Sequence, residues 1–383
     1  MWCRLALLTA LLVACGPQPS PPQANASAAQ TSGQQPPSPV VTASSAIAPC
    51  RLPVVSWYQP GNPDQLPPIG VQAHYVSYPD GAISIDPADE FTFSEDGFGW
   101  RSSAKPVLRG TGPVGYYDAA LKRFLPVSRA QVSPDGRRYA YMDYTQGGLF
   151  AFGQIHVVDV DTGHDRTLGL PAAQYLIFDF SVDGIYFTYG PYGQSAGLLL
   201  LNPDSGATRG VFQDGYVLAV DNGIAWLRAN EQDLHPTSPM PGGEGNAKTP
   251  VLNVLLRRDV KSGEVIEWLR RPSTASNFES LGVYGGAPAL LVYLAEDNDI
   301  RWNTRQVPYE VWLVSRPATP EKVGAGVNSD LETDPWYRTG RVASSLSDAH
   351  GIWLGGSAIY LYRQGKGLTK VATFPGFPAN GCM

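Results

Sequence analysis

Residues 131–144 read QVSPDGRRYAYMDY and set one acid, Asp135, beside two bases, Arg137 and Arg138. That grouping could hold a charged substrate. It could equally be a turn, because Asp135-Gly136 separates two apolar-alternating runs and glycine takes positive φ without strain. Four other patterns could carry chemistry. GQSAG at 193–197 fits the G-x-S-x-G of a nucleophile elbow. That motif needs a strand before its serine and a helix after it. Here the strand-like LLLLNP follows, so Ser195 reads as part of a hairpin loop. The five histidines, His74, His156, His164, His235 and His350, have no zinc-like spacing. His74 and His156 fall in strand-like runs, and His164 and His350 fall at turns. Asp159, Asp161, Gly163 and Asp165 resemble half of a calcium loop but lack its remaining oxygen ligands and terminal Glu. The acidic run EDNDI at 296–300 is the better cation candidate. No phosphate-binding glycine loop opens a helix. The reading therefore assigns no catalytic residue, no metal and no cofactor.

The elements that would position any site are strands. The 383 residues include 41 Gly and 34 Pro, with 11% aromatic and only 16% charged residues. Many short strands joined by turns give this profile; long surface helices do not. Net charge is −6, and no basic cluster exceeds two adjacent residues, so no nucleic-acid footprint is visible.

The first residues read as an export signal. Arg4 precedes an apolar run from Leu5 to Val13, too short to span a bilayer. The sequence Leu12-Val13-Ala14-Cys15-Gly16 resembles the lipobox of bacterial lipoproteins. The resemblance implies a signal peptide at 1–14, cleaved before Cys15, and lipid on the Cys15 sulfur and the new amino group. Several acyl chains anchor firmly where one is marginal. The segment 15–49 is rich in Pro, Ser, Ala and Gln, without charge or aromatics, and reads as a disordered tether. The globular part is then 50–383, held to the extracytoplasmic side of a membrane, at the cell surface or the periplasmic face. Cys50 and Cys382 stand at its two edges, and an exported protein favours a disulfide between them.

Six units repeat from residue 91 to 375. Each opens with a hairpin centred on a Gly, and four hairpins show Asp or Asn directly before it: Asp96-Gly97, Asp135-Gly136, Asp183-Gly184 and Asn222-Gly223. A second hairpin follows in each unit. Three of these carry an Asp or Asn four residues before Gly163, Gly206 or Gly263. Strand A, turn, strand B, loop, strand C, turn, strand D at this period indicates a β-propeller of four-stranded antiparallel blades. VSPDGRRYAY followed by IHVVDVDTGHDRTL resembles the WD40-like repeat of TolB-type propellers, closely over 130–168 and more weakly elsewhere. The resemblance implies the blade; it assigns no function. Three strand-like runs in 50–90 and one after residue 375 make a further blade, with strands from both chain ends closing the ring. Seven blades are favoured; six is the alternative.

In such a blade the A–B and C–D turns share one rim and the B–C and D–A loops the other. The insertions 229–250, 295–309 and 325–344, with the shorter loops 145–153 and 190–197, all fall on the second rim. It would present Phe150, Tyr192, Trp302, Trp336 and Tyr337, with His235, Arg301, Arg305 and Arg338 nearby, although any one of them taken singly reads better as packing the long loops onto the propeller. Loops on a rigid scaffold carry binding, and aromatics with Arg are typical of its hot spots. Three functions compete. The first is a non-enzymatic module binding a protein, peptide or glycan on this rim. The second is a scaffold in an envelope complex, and the third an extracytoplasmic enzyme acting on glycans.

Overall fold

The computed structural model describes residues 48–58, 70–94, 97–102, 105–110, 115–143, 153–170, 175–189, 197–213, 215–229, 253–271, 278–294, 307–327, 334–336 and 346–383. Residues 1–47, with Cys15, lie outside them.

Strands account for nearly all regular structure. The first five are β1 (Cys50–Tyr58), β2 (Gly70–Tyr78), β3 (Ile83–Ser94), β4 (Gly97–Ser102) and β5 (Lys105–Gly110). A short pair follows, β6 (Tyr116–Asp118) and β7 (Arg123–Leu125), then β8 (Arg138–Met142), β9 (Ile155–Asp159) and β10 (Asp165–Thr167). Four regular sets of four complete the series. They are β11 (Tyr175–Ser181), β12 (Gly184–Tyr189), β13 (Leu198–Leu201) and β14 (Thr208–Phe212); β15 (Tyr216–Asp221), β16 (Ile224–Ala229), β17 (Val254–Asp259) and β18 (Val265–Arg270); β19 (Phe278–Tyr284), β20 (Ala287–Tyr293), β21 (Pro308–Arg316) and β22 (Thr319–Val327); and β23 (Ser347–Asp348), β24 (Gly351–Leu354), β25 (Ile359–Arg363) and β26 (Gly367–Ala372). The last strand is β27 (Phe377–Pro378).

Each set of four is an antiparallel sheet in chain order. The β8–β10 sheet has three strands, its first reduced to a single bridge between Val132 and Tyr139. The closing sheet runs β27-β1-β2-β3-β4-β5, so one strand from near the C-terminus completes strands from the N-terminal side. Closure through both chain ends is as expected from the sequence. A disulfide between Cys50 and Cys382 fastens it.

The ring has six blades, not the favoured seven. The expected first separate unit does not detach, because β3 is long enough to pair with β2 through Ile83–Glu90 and with β4 through Asp89–Ser94. Residues 91–110 therefore extend the closing sheet. The remaining hairpin, β6–β7, is a two-stranded ribbon. It docks against the C-terminal segment, with the Tyr117 N–H donating to the Ala379 carbonyl at 2.9 Å.

Six buried clusters fill six seams. One joins the closing sheet, the ribbon and the β8–β10 sheet; four join successive sheets; the last joins β24 and β25 to β1 and β2. Strand alternation explains how. In β20 every residue is buried; Ala289, Leu291 and Tyr293 face one seam while Leu290 and Val292 face the other. Side chains along a strand point alternately to its two faces, so a sheet covered on both sides reads as a continuous apolar run.

The turn chemistry is local. In the 131–144 stretch, Ser133 Oγ donates to Asp135 Oδ1 (2.6 Å) and Asp135 Oδ1 accepts the Arg137 N–H (3.1 Å). Gly136 has φ +71°, and a Cβ there would lie 2.5 Å from Asp118 Oδ2. Gly163, Gly206, Gly223 and Gly263 likewise have positive φ. Asp159, Asn202 and Asp259 each accept backbone N–H groups from two or three residues ahead, the Asx turn that such residues favour. Asp118 does the same in the ribbon.

Candidate functional site

The strand order separates the two rims. The connections at 182–183, 222–223, 285–286 and 349–350 join first to second strands, and those at 317–318 and 364–366 join third to fourth. All are tight. The connections 143–154, 190–197, 230–253 and 294–307 join second to third strands, and 328–346 joins one blade to the next. Antiparallel order puts the strand ends that flank these longer connections on the opposite rim.

Of the residues expected to line that rim, Phe150, Tyr192, His235, Arg301, Trp302, Arg305, Tyr337 and Arg338 lie outside the described residues, as does Asp96 among the turns. Asp135, Gly136, Asp183, Gly184, Asn222 and Gly223 stand at the first turns of their sheets, and Gly97 opens β4. Trp336 is a correction. It is 1% exposed, inserted between the β19–β22 and β23–β26 sheets. Tyr284 and Tyr362 meet its ring edge-on at 5.7 and 5.3 Å. Asp334 accepts the Tyr309 hydroxyl at 2.9 Å beside it. So Trp336 anchors the 328–346 connection instead of presenting it. A large aromatic buries more apolar area in a seam than a hydrated rim can offset.

Two arrangements escaped sequence reasoning. The first surrounds His156. Its Nδ1 lies 2.8 Å from Asp165 Oδ1, and its Nε2 lies 3.3 Å from Asp143 Oδ2, close enough for an ion pair but misaligned for a hydrogen bond. The Tyr141 ring stacks on the imidazole at 4.8 Å while its hydroxyl donates to Asp165 Oδ2 at 2.6 Å. Burial alone would lower the His156 pKa. The hydrogen bond and charge of Asp165, joined by Asp143, outweigh it and raise the pKa above 6.5. Burial would also raise Asp165, but His156 and Tyr141 hold it below its ordinary value. Both ring nitrogens face carboxylates, so neither is free for a substrate proton. The cluster ties the second, third and fourth strands of one blade together.

A pH signature follows. A histidine whose folded pKa is raised contributes stability fully below about 6.5, and the contribution fades as pH rises through the folded value. Wild type should lose melting temperature between pH 6 and 8 by an increment that His156→Gln lacks. Parallel melting profiles for the two proteins over that range would contradict the assignment.

The second arrangement is at the middle of the ring, where β11 packs against β15 and β15 against β19. Asp179 on β11 has its pKa pushed up to about 7, first by burial and then by the like charge of Asp221 on β15, with Arg129 opposing. Burial also raises Asp221. Asp221 reaches a recess of about 230 Å³ on the turn rim, lined by Trp226, Trp268 and Arg257 among others. The strand YLIFDFS carries its one acid within an apolar run. Only the ring brings Asp221 near it.

No family model and no curated protein matches the chain. Among solved structures it is similar to an oligogalacturonate lyase in complex with manganese (12% identity, 80% of this chain and 85% of that one, TM-score 0.37). It is also similar to TolB from Acinetobacter baumannii (11%, 70% and 65%, TM-score 0.32) and to an oligogalacturonate lyase from Vibrio parahaemolyticus (10%, 71% and 78%, TM-score 0.35). These are likenesses of fold and assign no residue a role. The propeller rests on the strand pairing and the six filled seams. No helix among the described residues is long and apolar enough to cross a membrane.

Proposed function

We propose that the chain is an extracytoplasmic propeller, lipid-anchored at Cys15 and tethered through 15–49, that acts as a non-enzymatic binding module. The observation that carries the binding role is that the strand ends flanking 143–154, 190–197, 230–253, 294–307 and 328–346 share one rim of a closed ring. The rigid seams hold those loops, and rigid support is what lets irregular segments bind without a large ordering cost. The Cys50–Cys382 disulfide supports an oxidising compartment. The ligand class is a protein, peptide or glycan.

The test is capture by a soluble form lacking the lipid, against envelope extracts and a glycan and peptide array. Variants with 230–252 or 328–333 replaced by short Gly-Ser links should keep the melting temperature and lose capture. Capture retained by both variants would sink the proposal. Recovery of one membrane complex by every form would instead support the scaffold role. On the enzyme reading, Asp179, whose buried carboxyl is pushed up toward neutrality, would be the candidate general acid. Turnover of a polysaccharide by wild type but not by Asp179→Asn would establish that reading; no turnover by wild type would remove it.

A further inference from the structure

We infer that the disulfide closing the ring is a built thiol–disulfide exchange site, with Cys382 as the attacked sulfur and Cys50 as the leaving group. Cys50 Sγ lies 3.3 Å from His350 Nε2. The ring is fixed on its other side, where Nδ1 lies 3.2 Å from Asp348 Oδ1, and that same oxygen accepts the His350 backbone N–H at 2.7 Å. Asp348 is fixed in turn. Its Oδ2 accepts the Trp353 indole N–H at 2.8 Å and the Cys382 backbone N–H at 2.6 Å. Tyr78 and Trp353 pack around the imidazole. Nε2 also lies 3.2 Å from the Ala48 carbonyl. The carboxylate, the imidazole and one sulfur thus form a chain, and the same carboxylate binds the backbone of the other cysteine. A disulfide serving only as a clasp needs none of this.

The chemistry is asymmetric. An incoming thiolate can attack either sulfur, and exchange is faster when the departing thiol has the lower pKa. A thiol beside an imidazole N–H is stabilised as thiolate. Cys50 has that neighbour at hydrogen-bonding distance, whereas the Cys382 sulfur, within 4.8 Å of the same ring, makes no hydrogen bond to it among the described residues. The incoming thiolate therefore forms a bond to Cys382 Sγ, the bond between Cys382 and Cys50 breaks, and its electron pair leaves on the Cys50 sulfur, which is stabilised by the Nε2–H of the doubly protonated His350, the form that also donates Nδ1–H to Asp348. A dithiol reductant completes the cycle: its second sulfur displaces Cys382, the reductant becomes a disulfide, and two electrons end on the protein's thiols. Both cysteines are half-buried, so neither is sealed in the core. The co-reactant class is a dithiol, small or borne by a protein.

The experiment follows reduction of the folded protein by dithiothreitol, quenching with an alkylating agent and weighing the products. A second arm uses excess glutathione and locates the mixed disulfide by peptide mass. In wild type the glutathione should sit on Cys382, with Cys50 alkylated. His350→Ala and His350→Gln should each slow reduction about tenfold and spread glutathione over both cysteines. A variant that merely loosened the closing sheet would be reduced faster, so instability cannot imitate the expected result. Equal or faster reduction in both variants, or glutathione mainly on Cys50 of wild type, would overturn the inference.

Discussion

Replacing Cys50 and Cys382 together by serine should lower the unfolding free energy by about 3 to 5 kcal/mol. The bridge spans 332 positions of sequence, nearly the whole ring. The chain-entropy model assigns so long a loop about 6 kcal/mol, and residual structure in the unfolded chain reduces that. The folded side changes less. Arg51 and Met383 exchange two backbone hydrogen bonds at 2.9 Å, and Ala379 donates to the Pro53 carbonyl at 2.8 Å, none of which needs the disulfide. The double variant should therefore fold as the same ring with a lower denaturant midpoint. A loss under about 1 kcal/mol in equilibrium denaturation would show that closure draws little from the covalent bond.

Trp336→Ala should cost about 3 to 5 kcal/mol, the range for deleting a buried large aromatic. The indole is among the largest fully buried side chains, and Gly324 lies against it with no Cβ to fill the space it would leave. Trp336→Phe should recover much of the loss, because the edge-on contacts with Tyr284 and Tyr362 need a ring and the indole N–H has no hydrogen-bond partner among the described residues. Because Trp336 pins the 328–346 connection, the alanine form should also weaken ligand capture beyond what its stability explains. Thermal melts with capture measured well below the midpoint would separate the two effects. Full capture by a folded Trp336→Ala would mean that the connection does not depend on its anchor.

What the sequence showed of this protein was whatever is written locally. Turns are set by short motifs, so Asp135-Gly136, Asn222-Gly223 and the Asx turns ahead of Gly163, Gly206 and Gly263 were legible. Closure was legible too, because a ring must seal its edges and the surplus strands lay at both ends. The blade number was not. It turned on whether β3 would stop at residue 90 or run on to Ser94 and carry β4 and β5 with it, and no turn signal inside the strand decides that. The side that Trp336 would face was open for a related reason. An aromatic in a long insertion looks the same in sequence whether it faces solvent or a seam. The His156 cluster draws its acids from strands on either side, and the Asp348-His350 support of Cys50 joins residues 300 positions apart. Pairings of that kind exist only once the ring is closed.

The 133–137 turn of the opening stretch belongs to the opposite rim from the insertions. Asp135 is held ionised below its ordinary range by the Ser133 hydroxyl and the Arg137 N–H, which makes it a turn-builder. Arg138 reaches the next blade's turn, 2.5 Å from Asp204 Oδ1. Its acid and bases shape and join blades.

Binding by one rim is tested most directly by amide hydrogen exchange on the soluble propeller with and without its captured ligand. Protection is expected at 230–253, 294–307 and 328–346 and none at 160–164, 222–223, 260–264 or 364–366. Protection confined to the turn rim or to the Asp179–Asp221 centre, with the insertions unchanged, would contradict it.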